Sequence, residues 1–341
     1  MKQIRVEDAV GQVLCHDLTR IVKDEMKGVQ FKKGHVIREE DIPMLLDMGK
    51  RNIYVWELRE GSLHENDAAV RLVRLCQNAH MARTAVQEGK IELTAEIDGL
   101  FRIDTQRLRA INALDEIMIA CRHSLSPVRA GDKLAGMRVI PLVIEEETIR
   151  AAERAAGTEP VLELLPYRLK TACVITTGSE VMTGRIKDTF TPVVIEKLAA
   201  YGVEVIHHVL VGDDHPALMG AIQAARALSP DMILCTGGMS VDPDDNTPAA
   251  IRKSGARIIT YGASVLPGAM FLLGYFENGT PIMGLPGCVM YARATIFDIV
   301  LPRIVAGIPL QKSDFADMGN GGLCLGCKPC HYPVCPFGRL L

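Results

Sequence analysis

Residues 231–251 read DMILCTGGMSVDPDDNTPAAI. The apolar run 232–235 has the length of a buried strand and stops at Thr236-Gly237-Gly238. A loop with Asp242, Asp244 and Asp245 follows. Thr247-Pro248 then suits a first helical turn, because threonine caps orphan N–H groups and proline has none to lose. In an open α/β sheet, this order of strand, glycine turn and helix start marks a ligand site outside the strand's carboxyl end. Glycines let an anion approach backbone N–H groups, and the helix dipole favours its charge. The carboxylates add hard oxygen donors for a divalent cation. The stretch therefore predicts a site for a phosphorylated ligand with Mg²⁺.

Downstream and upstream of this stretch the pattern repeats. Strands are expected at 171–176, 203–210, Arg257–Tyr261 and Pro281–Leu285, with helices at 190–201, 216–228, 248–254 and 289–305. Such alternation predicts an α/β fold, a doubly wound, mainly parallel sheet with helices on both faces. All carboxyl ends of a parallel sheet share one edge. Three turns should therefore meet on one rim: Thr177-Gly178-Ser179-Glu180, Gly237-Gly238 with its acidic loop, and Leu285-Pro286-Gly287. Asp188-Thr189 and Gly212-Asp213-Asp214 fall on adjacent connections. Any one of these is an ordinary turn or cap; the set is more specific. His207 and His208, near a strand end, read as structural or solvated.

Before this part, residues 1–165 read as a smaller α+β accessory region, with helices at 44–48, 67–88 and 145–156 and a strand at 53–56. Its polar residues form no convergent pattern, which predicts a structural or substrate-positioning role. The expected division is 1–165, then a ligand-binding domain at 166–308, then a flexible cysteine-rich tail at 309–341. The 341 residues are 48% hydrophobic and 23% charged with a net charge of −3, which argues against a nucleic-acid surface. No apolar run is long enough for a bilayer, and the N-terminus lacks the apolar segment of a secretory signal, so no membrane partner and a cytoplasmic location are expected.

The ordered set TTGSE at 176–180, KDT at 187–189, VGDD at 211–214, TGGMSVDPDDNTP at 236–248 and LPG at 285–287 resembles the molybdopterin-binding domain of molybdenum-cofactor biosynthesis proteins. That family includes molybdopterin adenylyltransferases, molybdopterin molybdotransferases and gephyrin. The resemblance implies that the rim binds the pterin and its terminal phosphate, with ATP or AMP as nucleotide and Mg²⁺ as metal. Carried over by motif, Asp245 is the metal-linked catalytic carboxylate and Asp188 a second catalytic aspartate. Gly237, Gly238 and Ser240 lie against phosphate and pterin. Thr177, Gly178, Ser179, Glu180, Asp242, Asp244, Thr247, Pro286 and Gly287 complete the binding set. The implied partners are molybdopterin or adenylated molybdopterin, molybdoenzyme maturation partners, and further copies of the chain in a homo-oligomer.

Four positions depart from the molybdotransferase pattern. Ser179 replaces Asp, Phe190 replaces Asn, Cys288-Val289 replaces Asn-Pro, and Leu266-Pro267-Gly268-Ala269 lacks the flanking lysines. The scaffold is kept while polar contacts are lost, so a carrier or sensor of molybdopterin without turnover is an alternative. Asp244-Asp245-Asn246-Thr247 also resembles the Asp-Asp-x-Thr of the competence-damage-inducible family, which implies nucleotide pyrophosphate hydrolysis as a further alternative.

Of the ten cysteines, six are scattered in apolar contexts and read mainly as buried thiols. The other four, Cys324, Cys327, Cys330 and Cys335, fall in the last eighteen residues as C-x2-C-x2-C-x4-C followed by Pro336. Four thiolates at this spacing predict zinc or a [4Fe–4S] cluster, with His331 as a substitute ligand.

Overall fold

The structure is a computed structural model, and it describes residues 2–22, 26–55, 61–243 and 245–339. Two units are present: one of residues 1–96, 103–122 and 131–163, the other of residues 97–102, 123–130 and 164–341.

The second unit carries a six-stranded sheet. Its strands are β1 (Thr171–Thr177), β2 (Glu204–Val211), β3 (Met232–Thr236), β4 (Arg257–Tyr261), β5 (Leu272–Tyr275) and β6 (Pro281–Leu285), in the order β2-β1-β3-β6-β5-β4. The first four in that order are parallel, while β5 runs antiparallel to both β6 and β4. Helices α1 (Ser179–Met182), α2 (Phe190–Ala199), α3 (His215–Ala227), α4 (Thr247–Lys253), α5 (Ile296–Val305) and α6 (Lys312–Asp317) connect or follow these strands.

Alternation along each strand builds two cores, because successive side chains point to opposite faces. Ala172, Val174, Leu234, Met283 and Leu285 join Val194 and Leu198 of α2 and Phe297 and Val300 of α5 in one. Cys173, Ile175, Ile233, Cys235 and Ile282 join Leu218 and Ile222 of α3 and Ala250 and Ile251 of α4 in the other. The sheet is thus doubly wound and mainly parallel, with helices on both faces. Burial on both sides explains why β1 and β3 read as nearly continuous apolar runs.

Two expectations on elements of this unit differ from the structure. The helix expected over 289–305 is divided into a single 3₁₀ turn, Gly287–Met290, and α5. The break is a capping box: Thr295 Oγ1 accepts from Phe297 N–H, and the Asp298 carboxylate accepts from Thr295 N–H at 2.8 Å. Asp298 also pairs with Lys197 of α2. Strand β5, not anticipated, is what turns the far side of the sheet antiparallel.

In the first unit, Met81–Arg83, Lys90–Ala95, Lys133–Val139 and Ile117–Cys121 form an antiparallel sheet in that order. The helix expected over 67–88 is Glu65–Cys76 only. Beyond it, Met81–Arg83 pairs as a strand, and His80 and Glu88 adopt positive φ of 67° and 49°, which no helix accommodates. The strand expected at 53–56 is Asn52–Val55, and Trp56 lies outside the described residues. Arg71 joins this helix to Glu146–Ala156 by ion pairs with Glu146 (2.9 Å) and Glu153 (2.7 Å). Among the described residues no helix is long and apolar enough to cross a membrane.

The tail, expected to be flexible, is packed against its own unit. Leu323 forms a bridge with Leu266, with Leu266 N–H donating to Gly322 O and Cys324 N–H to Leu266 O, both at 2.8 Å. Tyr332 OH donates to Asp298 O at 2.7 Å, and Phe337 is 4% exposed in the α5 core. Two aromatic anchors supply the burial that the tail's polar, glycine-rich approach did not suggest. A Cβ on Gly322 would stand 2.4 Å from both Met318 O and Ser264 O, so only glycine lets the chain pass there. Amide exchange at Cys324 and Leu266 should accordingly be slow. Phe337→Ala should cost about 3–5 kcal/mol of local stability, removing that protection while β3 amides stay protected.

Candidate functional site

The strand register sets the site. Thr177 lies opposite Val211, Thr176 opposite Thr236, and Thr236 opposite Leu285. Four parallel strands therefore end on one line, and the turns after them share one edge of the sheet. Cross-bonds between those turns fix the rim. Ser179 N–H donates to Asp213 Oδ2 at 2.8 Å, and Asn246 Nδ2 donates to Asp213 O at 2.8 Å. Thr189 and Met290 meet at 3.0 Å, which joins the Asp188 loop to the turn opened by Gly287.

At the centre are Gly237 (φ 85°) and Gly238 (φ 53°). A Cβ on Gly237 would lie 2.4 Å from Thr177 O, and one on Gly238 would lie 2.9 Å from Thr247 Oγ1. The turn thus needs glycine for both its backbone conformation and its close approach. Thr247 Oγ1 donates to Gly237 O at 2.8 Å, and Thr177 Oγ1 donates to Thr236 O at 3.1 Å. Both threonines, predicted as ligand contacts, are buried and serve to shape the turn. Ser240 and Asp242 are exposed beyond it. Asp242 N–H donates to Asp245 Oδ2 at 3.1 Å, and Asp245 N–H donates to Asp242 O at 3.0 Å, which closes the acidic loop on itself. Asp244 lies outside the described residues.

On the flanks, Gly178 is buried at φ 141°, and Ser179 and Glu180 are exposed at the start of α1. Pro286 is buried, whereas Gly287 is exposed and a Cβ there would meet nothing within 4 Å. Arg185 and Lys187 are exposed on the connection into Asp188.

Asp188 has a definite structural task. Its Oδ1 accepts from Phe190 N–H (2.9 Å) and Thr191 N–H (3.0 Å), capping the first turn of α2. Burial alone would raise this carboxyl, but the bonds from Thr191 and Phe190 hold it below its ordinary value. Beside it lies a polar network that the sequence reading did not assemble. Thr176 Oγ1 and Thr191 Oγ1 are 2.8 Å apart and lie 3.1 and 3.2 Å from His208 Nε2. Thr236 Oγ1 donates to Thr176 Oγ1 at 3.2 Å, and Asp188 Oδ2 is 3.9 Å from His208 Nε2. Burial pushes the His208 imidazole down, opposed by Asp188. His208 pairs with no motif in sequence; the strand register alone brings it to Thr176.

Cys324 and Cys335 pack against the α5 core, and they line one small pocket with Cys327 and Cys330. Among the described residues, no group of three or more His, Cys, Asp or Glu side chains is gathered closely enough to hold a metal ion as it stands. A wide cleft of about 380 Å³ sits at the opposite, amino ends of the strands, by Pro230, Asp231 and Pro281. Asp231 there is committed to structure, accepting from Lys170 and Thr171 N–H at 2.7 and 2.9 Å.

Comparison with known proteins matches residues 173–306 to a family described as a probable molybdopterin binding domain, and residues 3–57 to a domain of unknown function. A competence-damage inducible protein of Bacillus thuringiensis (strain Al Hakam) is 36% identical over 93 residues, 27% of this chain. The match spans 22% of that relative's length. Among solved structures, the molybdopterin biosynthesis enzyme MoaB of Thermus thermophilus is 23% identical, covering 41% of this chain and 99% of its own, with a TM-score of 0.34. The CinA protein of Thermoplasma acidophilum is 20% identical, covering 40% and 98%, with a TM-score of 0.35. Residues 173–306, less than half of the chain, thus match the family described as a probable molybdopterin binding domain.

Proposed function

We propose that the rim binds molybdopterin through its terminal phosphate, in free or adenylated form, as a step in molybdenum-cofactor biosynthesis. The observation that carries this reading is the Gly237-Gly238 turn at the mouth of the central strand, inside a domain of the molybdopterin-binding family. Neither glycine puts a side chain in the way of a phosphate approaching the backbone, and the start of α4 lies a short loop beyond. Gly178 and Gly287 keep the neighbouring turns low. Ser179, Glu180 and Ser240 are exposed where a pterin's polar edge would be held.

The donor types suit Mg²⁺, since hard cations take oxygen ligands and Asp242 and Asp245 put two carboxyl groups on one loop, although Asp245 Oδ2 accepts from Asp242 N–H and no three such groups of the described residues are gathered as they stand. Asp245, with Asp242, would hold the ion, which supplies charge neutralisation for two phosphates brought together. Asp188 acts in this reading as a positioning residue, because its carboxylate is engaged by the start of α2.

The 93-residue similarity to a competence-damage inducible protein favours a second reading, nucleotide pyrophosphate hydrolysis on the same rim. Incubation of the protein with molybdopterin, ATP and Mg²⁺, and separately with ADP-ribose, distinguishes the readings. Adenylated pterin marks a transferase, and bound but unchanged pterin marks a carrier. Cleavage of ADP-ribose without pterin binding would displace both.

Gly238→Ala should abolish pterin binding in a fluorescence titration, since its Cβ would crowd Thr247 Oγ1. Asp245→Asn should leave the fold intact and weaken the Mg²⁺-dependent part of binding on the order of tenfold, about 1.4 kcal/mol. Asp188 gives a pH prediction. A carboxyl lowered by folding contributes stability above its unfolded value and loses that contribution as pH falls through the folded value. The thermal midpoints of Asp188→Ala and the parent should therefore differ at neutral pH and converge on acidification. A constant gap across the pH range would contradict the assignment.

A further inference from the structure

The rim makes no use of the four thiols near the C-terminus. All are free, and Cys327 and Cys330 are exposed, where a thiol kept only for packing has no role. The segment around them is held from both sides. Leu323 and Cys324 pair with Leu266, and at the other end Phe337 is buried while Gly338 N–H donates to Gly321 O at 3.0 Å. Between them Tyr332 reaches inward to Asp298 O. This anchoring brings residues eleven positions apart to one place: Cys324, Cys327, Cys330, Cys335, His331 and Tyr332 line a single small void of about 30 Å³.

We propose that Cys324, Cys327, Cys330 and Cys335 form a tetrathiolate site for one thiophilic metal centre, which ties the tail to the α5 core. The void exceeds the roughly 10–15 Å³ that one water needs, so it has room for a single ion. Zinc takes four thiolates in a tetrahedron at about 2.3 Å, and it is the expected occupant. The thiols must draw inward to reach that distance. Metal sites commonly close in this way as the ion binds, because ligand closure and local folding are coupled. The two exposed cysteines, on the turn around Lys328-Pro329, are the ones with room to move. His331 lines the same void and is the one non-thiol side chain there able to replace a cysteine as ligand.

The test is assay of zinc, iron and acid-labile sulfide on the full chain purified without oxygen, followed by Co²⁺ titration of chelator-treated protein. One zinc per chain, and cobalt–thiolate charge-transfer absorption on titration, are expected. Iron with matching sulfide would support the same thiolate site with a cluster in place of the ion. Cys327→Ser and Cys330→Ser should each lose the metal while circular dichroism and pterin titration at the rim stay unchanged. A reduced protein that contains no metal and gives no cobalt–thiolate band would overturn the proposal. So would full metal retention in both serine variants.

Discussion

The pairing of β1 between β2 and β3 is the constraint from which the site follows. Its register places Val211, Thr177, Thr236 and Leu285 at nearly the same height, and every rim residue is positioned by the turn that leaves one of these ends. The register is itself fixed by burial. A slip by one residue would exchange Val174 with Cys173 and Leu234 with Ile233 between two filled cores, which a two-sided sheet cannot tolerate. Packing of α2 and α5 on one face and α3 and α4 on the other therefore controls the spacing of the turns, and Met239 and Val289 carry two of those turns into the same cores.

Within that frame the rim divides its work between shape and chemistry. Thr177, Thr236 and Thr247 are buried; the hydroxyls of Thr177 and Thr247 are spent on backbone carbonyls and that of Thr236 on Thr176. They hold the Gly237-Gly238 turn in a conformation that favours glycine. Asp188 and Asp213 likewise use carboxylate oxygens to pin neighbouring turns. In the proposed reading, groups exposed around them meet the ligand. The threonine network with His208 extends this frame to the edge strand β2, where burial and the nearby Asp188 act on the imidazole in opposite senses.

The parallel half of the sheet was legible because its strands and helices alternate with clear turn chemistry, and the glycine turns and acidic loop could be placed on one rim from that alternation alone. Strand β5 was not legible, since LLGY follows a Pro-Gly turn and is too short to declare a period. The structural use of Asp188 and Thr177 was not legible either, because a carboxylate or hydroxyl in a motif has the same letter whether it faces a ligand or caps a helix. His208 could have been found only by pairing β2 with β1 and asking which residue falls near a polar position of β1. That pairing sets His208 opposite Val174, which shares a face of β1 with Thr176. The tail was misjudged as loose because its spacing of polar and glycine residues hides two deep anchors, Tyr332 and Phe337.

One departure in sequence falls where the tail packs. Where the molybdotransferase pattern has lysines flanking Pro-Gly, this chain has the apolar Leu266-Pro267-Gly268-Ala269. The structure uses that turn as a docking strand. A Cβ on Gly268 would fall 2.3 Å from Ile296 Cγ2, so the turn lies directly on α5, and Leu266 gives both its N–H and its carbonyl to residues 322 and 324. A lysine in place of Leu266, which is 56% exposed, would keep its ammonium in water. The tail pairs with the backbone of Leu266 rather than its side chain, and the apolar turn supplies no cation of its own. In the proposed reading a phosphate then meets backbone N–H groups at the glycine turns and a cation on the acidic loop, with Arg185 and Lys187 exposed on the connection into Asp188. On that reading, anion binding rests less on side-chain charge at residues 266–269 than on glycine backbone and a carboxylate-held cation.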